Sequence, residues 1–336
     1  MDSLSQIALG ATVGMAVMGR RTAVWKPALW GAVCGTLPDL DVFIDHGDAI
    51  RNMVLHRSES HALFWLSLLS LPLAALIARL HGEWGLVRRW WLAVWLMLVT
   101  HPLLDAMTVY GTRLLLPFTD QPYAVGSVFI IDPLYTLPLL AGGAWALIAR
   151  GSAAGLKANL AGLVLSTAYL AWGAAAQAHV ERTAREALQA QGVKATQVLV
   201  TPTAFNTLLW RVVAIEGDQY HEGFRSLFDG ARPMRFDRFP RGLSLMPDLQ
   251  GIDGVQRVSA FSRGYFKLHE HGARLVITDL RMGQEPTYTF SFAVAERHSQ
   301  PTALPQPISQ GRRPDLERAL PWLWRRALGE PLPPPR

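Results

Sequence analysis

Residues 62–80 read ALFWLSLLSLPLAALIARL, a stretch in which Arg79 is the only charged residue. A helix needs about 20 apolar residues to cross the hydrocarbon core of a bilayer, so this run is long enough to span a membrane unaided. Residues 156–176, LKANLAGLVLSTAYLAWGAAA, form a second run of this kind. The two runs predict an integral membrane protein with helical spans.

Four other apolar runs are shorter. Residues 90–104 and 133–149 are slightly short for a span, and residues 7–18 and 27–38 have only about a dozen positions each. The two shortest runs are either true spans, buried core helices or a half-inserted hairpin. With all six counted, the N-terminal half is predicted to be a bundle of up-and-down helices.

The composition divides the chain near residue 177. Half of the 336 residues are apolar and only 17% are charged, against about a quarter in a typical soluble protein. Nearly all of the long uncharged runs precede residue 178. The predicted fold is therefore a mainly α, membrane-embedded helical bundle followed by a β-rich (α+β) soluble domain. We expect the bundle over residues 1–176, a connecting helix over 177–191 and the soluble domain over 192–300.

Residues 192–300 alternate segments rich in β-branched and aromatic residues with turn residues, which is typical of a small antiparallel β domain. The sequence EGDQ at 216–219 predicts a hairpin turn. The HEH sequence at 269–271 either chelates a metal or consists of ordinary strand residues. We expect the domain to cover the membrane site or to select its substrate. Residues 301–336 are predicted to hold a Pro-rich linker, over 301–311, and an amphipathic helix that lies at a membrane interface or docks on the β domain.

The formal charge of +6 does not indicate nucleic acid, because no stretch clusters Lys and Arg with interleaved aromatic residues. The basic residues of the N-terminal half instead lie in short connections between apolar runs. Eight lie in the first, third and fifth connections, against three in the second and fourth. The positive-inside rule places the richer set in the cytoplasm, so the connections 39–61 and 105–132 and the C-terminal domain are predicted to face outward.

Polar residues with ligand chemistry lie at the ends of the apolar runs. In the up-and-down arrangement all of them fall at the end of the bundle opposite the arginine-rich turns. The residues are Asp39 and Asp41 in PDLD, His56 and His61 in HRSESH, His101 and Asp105 in THPLLD, and Asp132 before the fifth run.

Imidazole and carboxylate are the ligands that bind zinc, manganese or iron, and groups from several helices can hold an ion while a water position stays open. His101 and Asp105 are four apart, so on a helix both point to one face. Each motif also has a purely structural interpretation. PDLD can be a turn, HRSESH an interfacial loop, and Asp132 a helix cap. The shared end of the bundle favours a divalent metal site.

Five stretches carry a family resemblance, namely MDSLSQIALGATVG, GTLPDLDVF, HRSESHA, THPLLDAMTVYGTRLLLPF and FIIDPLYTLPLL. Over residues 1–150 they resemble the LexA-regulated, inner-membrane metal-dependent hydrolase family (YdjM-like), which is distantly similar to zinc-dependent phospholipase C. The resemblance implies a bacterial inner-membrane protein, a zinc ion and phosphoester hydrolysis. It also implies a ligand set of His101 and Asp105 together with Asp39, Asp41, His56 and His61.

Two positions depart from the family pattern. Gln6 stands where the family usually has a histidine, and an amide is a poor substitute for imidazole at a transition metal. HRSESHA replaces the usual His-Arg-Gly-x-Thr-His-Ser, although both histidines and Arg57 are kept. These departures predict that one ion is bound weakly or lost.

The predicted mechanism is attack by a metal-activated water on a phosphoester. Arg57 is predicted to hold a substrate phosphate or, alternatively, to snorkel at the interface. Asp132 is predicted to be a general base or a further ligand. The expected partners are the lipid bilayer and a lipid or other phosphoester substrate, without nucleic acid. The alternatives are a non-catalytic scaffold or degenerate relative and, less favoured, a transporter.

Overall fold

The structure is a computed structural model and describes residues 1–298, 301–312 and 314–336. The chain forms two compact units. The first comprises Met1–Phe43, Arg57–Ala174 and Ala204–Asn206, and the second comprises Ile44–His56, Ala175–Thr203 and Thr207–Arg336. Residues 299 and 300, which close the predicted soluble domain, lie outside the described residues.

The described residues form ten α-helices. These are α1 (Ser3–Met18), α2 (Trp25–Thr36), α3 (Ala49–Leu55), α4 (Leu63–Leu80), α5 (Val87–Ala106), α6 (Pro133–Ile148), α7 (Ala153–Ala190), α8 (Met246–Leu249), α9 (Asp253–Phe261) and α10 (Leu316–Ala327). Each of the six predicted apolar segments is therefore helical.

The first unit is a helical bundle centred on α1 and α5. Helix α1 packs against α2, α5 and α6, and α4 packs against α5. The contact between α1 and α2 is very close, because a Cβ on Gly10 would lie 2.0 Å from the carbonyl oxygen of Gly31. The core contains fully buried Trp90, Met97 and Leu139. Glycines thus let α2 approach α1 closely, which positions the turn that follows α2.

The turns at one end of the bundle meet around Glu83. Its carboxylate accepts hydrogen bonds from Lys26 and Thr22, which belong to the α1–α2 connection, and from the indole of Trp90. Helices α1, α2, α4 and α5 therefore run up and down as predicted, with the Arg- and Lys-rich turns together at this end.

Two helices are long and apolar enough to cross a membrane by length and composition. They are Leu63–Leu80, with a mean hydropathy of 1.9, and Ala153–Ala190, with 1.2 over its most apolar stretch. Ser3–Met18 and Pro133–Ile148 are apolar but shorter. Spanning by the whole bundle stays a prediction.

Helix α7 crosses the predicted boundary at residue 176, and the division between the two units falls within this helix, between Ala174 and Ala175. The sixth apolar run and the predicted connecting helix form one continuous helix of 38 residues, about 57 Å long at 1.5 Å per residue. The residues between Gly173 and Gly192 are mostly good helix formers, so nothing ends the helix there. It ends before Gly192, whose φ of 73° suits a glycine just after a helix.

The second unit contains two antiparallel four-stranded sheets and a small hairpin, as the sequence predicted. The sheet orders are β1-β2-β3-β4 and β10-β9-β6-β5, and β7 pairs with β8. The strands are β1 (Gln197–Pro202), β2 (Leu209–Glu216), β3 (Gln219–Ser226), β4 (Phe236–Pro240), β5 (Phe266–His271), β6 (Arg274–Asp279), β7 (Gly283–Gln284), β8 (Thr287–Tyr288), β9 (Ser291–Glu296) and β10 (Thr302–Ser309).

Two sequence interpretations of this unit can be compared directly with the structure. The EGDQ prediction is confirmed, because Glu216 pairs with Gln219 across a two-residue hairpin turn. The linker predicted over 301–311 is wrong, because most of it forms β10 at a sheet edge. The register of β10 shifts between Ala303 and Ile308. The prolines at 305 and 307 lie in that interval, where an edge strand tolerates them.

Two helices also join the second unit. Helix α3, which the sequence assigned to the membrane domain, packs against α9 and β10, and a Cβ on Gly254 would lie 2.9 Å from Cδ1 of Ile50. Helix α10 docks through Trp322, whose ring meets Phe224 edge to face. Of the two alternatives for the amphipathic helix, the structure shows docking on the β unit.

Candidate metal centre

Four of the predicted ligand residues converge in the first unit. Asp39, His61, His101 and Asp105 each offer one ligand atom, and these atoms all lie within 4.8 Å of one another. Asp39 lies in a 3-10 turn, Pro38–Phe43, directly after α2. His61 ends the 3-10 turn Glu59–His61, and His101 and Asp105 lie one turn apart on α5. The sequence therefore predicted correctly that distant motifs meet at one end of the bundle.

Five of the six distances between the four atoms match those of a tetrahedral ion site. Nε2 of His61 lies 3.2 Å from Nε2 of His101, and both nitrogens lie 3.4 Å from Oδ1 of Asp39. Oδ2 of Asp105 lies 3.3 and 3.4 Å from the same two nitrogens. Ligands about 2.0–2.1 Å from a tetrahedral zinc ion lie about 3.3–3.4 Å apart. Five of the six edges thus have the length that such an ion requires.

The other ring nitrogen of each histidine is already engaged. Nδ1 of His101 lies 2.8 Å from the carbonyl oxygen of Gly35, which can only accept, so Nδ1 carries the proton. Gly35 is itself pressed against α1, where a Cβ would lie 2.4 Å from the carbonyl oxygen of Gln6. In the neutral ring, Nε2 of His101 then presents its lone pair to the cluster.

A similar chain of hydrogen bonds fixes His61. The hydroxyl of Ser60 donates to Oδ2 of Asp41 at 2.7 Å and lies 2.8 Å from Nδ1 of His61. Because the Ser60 proton goes to the carboxylate, Nδ1 of His61 donates to the Ser60 oxygen. Nε2 of His61 therefore also faces the cluster with a lone pair. Such supporting hydrogen bonds orient metal-binding histidines.

The two oxygens of Asp105 have different surroundings. Oδ1 accepts from Nε2 of Gln6 at 3.1 Å and from the amino group of Met1. Oδ2, the oxygen in the cluster, is buried without a hydrogen-bond partner among the described residues. Two imidazole lone pairs and two carboxylate oxygens thus face one another, and they repel unless a cation lies between them. The donor set therefore fits a divalent metal ion.

Burial is unequal across the four ligands. The side chains of His61, His101 and Asp105 are fully buried, whereas that of Asp39 is 23% exposed. Asp39 therefore marks the side of the group that solvent reaches.

Arg57 lies beside the cluster. Its Nε is 3.3 Å from Oδ2 of Asp105, and its guanidinium lies over the ring of Tyr110, 5.0 Å from the centroid. The backbone of Arg57 has φ 63°, a conformation that costs free energy for a non-glycine residue. It is held there by bonds to Asp41 and Arg113. The strained turn positions a buried cation next to the ligand set.

Three other predicted site residues have different positions. Asp41 is not one of the four converging ligands and instead accepts from Ser60 and from the backbone of Arg57. His56 is the C-cap of α3, belongs to the second unit and is not in the ligand group. Asp132 is the N-cap of α6 and also accepts from the hydroxyl of Tyr169 at 2.8 Å. Its catalytic role stays a prediction.

Sequence reasoning missed three supporting residues. Ser60 links His61 to Asp41, Thr108 accepts from Arg57 at 3.3 Å, and Gln6 donates to Asp105 instead of occupying a ligand position. Ser60 lies inside the HRSESH motif and Gln6 departs from the family pattern, whereas no motif includes Thr108 as a candidate. Gln6 had been interpreted as a lost ligand, whereas the structure shows a buried residue that orients one.

Comparison with known protein families shows that a family model described as YdjM inner membrane protein matches residues 1–180. No curated protein and no solved structure matches the chain significantly. The distant similarity to zinc-dependent phospholipase C is not confirmed.

Proposed function

Because the chain belongs to the YdjM inner membrane protein family, we propose that it is a membrane-bound hydrolase that cleaves a phosphoester with the help of a divalent metal ion. The ion, for which we propose zinc, would be held by Asp39, His61, His101 and Asp105. The observation that carries the proposal is the convergence of two histidine nitrogens and two carboxylate oxygens, 3.2–3.4 Å apart over five of their six distances, in a largely buried group.

The surface of the bundle supports membrane embedding. Helix α4 leaves large apolar side chains such as Trp65, Leu71 and Leu80 exposed, and α7 does the same with Leu165 and Trp172. Soluble monomers rarely expose contiguous apolar patches above a few hundred Å². Lipid would cover these side chains. We propose that all six long apolar helices are embedded and that the bilayer is the first partner of the chain.

A bound ion would lower the pKa of a water molecule towards neutrality and neutralise charge that develops on the substrate. The protein residues determine access and orientation. Asp39 is the exposed ligand, so we propose that substrate and water approach from its side. Arg57 has a planar guanidinium that can pair with two phosphate oxygens, and its position beside Asp105 suits that role.

The topology favours a lipid-linked or other phosphoester substrate on the outer side. The Lys- and Arg-rich turns meet at Glu83, at the end opposite the ligand motifs in the up-and-down arrangement. The positive-inside rule would place that end in the cytoplasm. We therefore propose a multi-pass inner-membrane protein with the site and the β unit on the periplasmic side.

A specific observation favours a second function. Structural zinc sites are closed by four protein ligands, whereas catalytic sites keep one position open. The group here offers four protein ligand atoms, which could fill all four positions. If Asp39 does not make room for water, the ion would only stabilise the bundle, and the protein would be a non-catalytic scaffold of the same family.

Metal analysis of the detergent-purified protein, combined with a substrate panel, tests both functions. We expect one bound divalent ion, loss of that ion in His101→Ala and Asp105→Ala, and no loss in His179→Ala, which replaces an exposed histidine on α7. The panel contains a phosphomonoester, a phosphodiester and phospholipids. If turnover requires the metal and is abolished in both site variants, the result supports the proposed hydrolase.

The remaining outcomes separate the alternatives. A metal-loaded protein that turns over none of the substrates would support the scaffold. Absence of metal from the purified protein, with no uptake of added zinc, would contradict both functions. His179→Ala controls for nonspecific loss of ions through a surface histidine.

A further inference from the structure

A polar cavity of about 230 Å³ lies in the second unit, on the sheet that contains β5 and β6. It is smaller than the pockets of about 300–1,000 Å³ that bind drug-sized ligands. Lys267, His269 and His271 alternate along β5, so their side chains share one face of the sheet, and all three line the cavity. The hydrolysis proposed for the first unit does not involve this cavity.

The charge of the lining is positive. Glu285 is its only carboxylate, and it already accepts from Nζ of Lys267 at 2.6 Å and from the hydroxyl of Tyr220. The pair of Lys267 and Glu285 therefore contributes no net charge. Arg312 also lines the cavity, and the described part of the chain provides no ion pair for it. One cationic group thus remains without compensation.

Hydrogen-bond donors are also in excess. The hydroxyls of Thr278 and Ser291 lie 2.8 Å apart, so one donates to the other and one proton remains for a ligand. Arg312 can only donate, and the ring of His271 has at least one N–H to offer in any protonation state. Nδ1 of His269 is buried and has no hydrogen-bond partner within the described residues. A buried polar atom without a partner costs free energy, which a bound ligand would recover.

The histidines of the HEH sequence do not belong to a group of three or more metal-binding side chains among the described residues. Among the described residues, the one group of three or more metal-binding side chains is that in the first unit. Burial and the charge of Lys267 lower the pKa of His269 to about 4, so its ring is neutral near pH 7. A cation in the cavity would meet the charges of Lys267 and Arg312, whereas an anion would be attracted by them.

We propose that this cavity is a second ligand site, which binds the phosphate group of a small molecule or of a lipid headgroup. A phosphate has several oxygens that accept from different directions. The guanidinium of Arg312, the ring of His271 and the hydroxyl pair of Thr278 and Ser291 supply donors on different elements. The small volume suits a phosphate with a compact organic group.

Isothermal titration calorimetry of the full-length protein in detergent tests the site. Inorganic phosphate and glycerol 3-phosphate are titrated, with acetate as the comparison anion, and the protein is treated with chelator so that no ion in the first unit contributes. Arg312→Ala and His271→Ala each remove one donor from the lining. Arg318→Ala is the matched control, since this arginine is exposed on α10 and does not line the cavity.

We expect saturable phosphate binding that Arg312→Ala and His271→Ala each weaken about tenfold, as for one charge-assisted or strong hydrogen bond. Arg318→Ala and His101→Ala should bind as the wild type does. Flotation with vesicles that contain phosphatidic acid distinguishes a headgroup from a soluble phosphate, and either source supports the site. Absence of binding, binding unchanged by Arg312→Ala, or equal affinity for acetate would overturn the proposal. Loss of binding in His101→Ala would place the phosphate in the first unit and would also overturn it.

Discussion

Nε2 of His61 and Nε2 of His101 lie 3.2 Å apart, and in each ring the opposite nitrogen is occupied by a hydrogen bond to the protein. In their neutral forms the two rings therefore direct lone pairs at each other and at two carboxylates. Such an arrangement is unfavourable without a cation. Hydrogen bonds from α2 and from the turn before α4 nevertheless maintain it, which indicates a site organised in advance of metal binding.

Metal removal should destabilise the protein. A ligand that binds only the folded state stabilises it by about 2.7 kcal/mol when its free concentration is 100 times Kd. We expect a chelator to lower the Tm of the detergent-purified protein and added zinc to restore it. Thermal unfolding followed by tryptophan fluorescence measures the shift. The His101→Ala variant serves as the control and should not respond to the chelator; an equal response in this variant would show that the ion lies elsewhere.

Ser60→Ala should weaken metal binding without removing a ligand. The substitution breaks the link between His61 and Asp41, so the ring of His61 loses the bond that fixes its orientation. Loss of such a supporting bond typically lowers metal affinity about 10–100-fold. Competition with a fluorescent chelator measures the affinity. Ser67→Ala, on α4, removes a serine that contacts Trp95 and should leave the affinity unchanged; an equal loss in both variants would contradict the specific role of Ser60.

Gln6→Leu should also lower metal affinity, because the amide that fixes Oδ1 of Asp105 is lost. We expect a decrease of about 10–100-fold. The matched control is Asn159→Leu, which removes another buried amide of the bundle, bonded to the carbonyl oxygen of Thr12. This control should lower the Tm but not the metal affinity. If Gln6→Leu binds metal as the wild type does, Gln6 is only a packing residue.

The convergence of the ligand residues was predictable because the up-and-down order of the apolar runs determines which helix ends lie on the same side of the bundle. His101 and Asp105 are also four residues apart, and residues with this spacing lie on the same face of any α-helix. The choice between His56 and His61 was not predictable. It depends on the left-handed backbone of Arg57 and on the turn that follows, which carry His61 towards α5 while His56 ends a helix of the other unit. Nothing in the motif spacing specifies such a turn.

In the second unit, elements that depend on local sequence were predictable, whereas elements that depend on pairing between distant segments were not. The hairpin at Gly217 follows from local turn chemistry and was predicted from sequence. The strand β10 depends on pairing with β9, and its prolines indicated a linker when taken alone. Residues such as Ile50 show the same limit, since its contact with Gly254 joins segments about 200 residues apart.

The proposed topology predicts that the β unit is exported. A fusion of alkaline phosphatase after Gly192, which follows α7, should be active, because this enzyme needs the oxidising periplasm. A green fluorescent protein fusion at the same position should be dark. Fusions in the α4–α5 turn near Gly82 provide the matched control and should show the reverse pattern. An inactive alkaline phosphatase fusion together with a fluorescent green fluorescent protein fusion at Gly192 would contradict the periplasmic placement of the β unit.

The docking of α10 should depend on one buried ion pair. Arg326 donates two hydrogen bonds of 2.7 Å to Asp229, and both side chains are largely buried. Breaking a buried pair by removing one partner typically costs about 3–5 kcal/mol. Arg326→Ala should therefore release α10, which limited proteolysis and hydrogen exchange of its backbone amides would detect. The neighbouring Arg325→Ala removes an exposed arginine paired with Glu330 and should leave α10 docked, since exposed pairs contribute little.

The same ion pair predicts a pH dependence. Burial alone would raise the pKa of Asp229, but hydrogen bonds from Arg326 and from the backbone of Ser226 lower it. The stability contributed by a carboxylate with a lowered folded-state pKa is present above its unfolded value of about 3.9 and is lost as the pH falls through the folded value. Exchange protection of α10 should thus be constant from neutral pH to about pH 4 and decrease below it. In Asp229→Asn the protection of α10 should already be low at neutral pH, because Arg326 has lost its carboxylate partner, and it should not decrease further below pH 4. Wild-type protection at neutral pH with the same acid-induced loss in that variant would show that another group controls the docking.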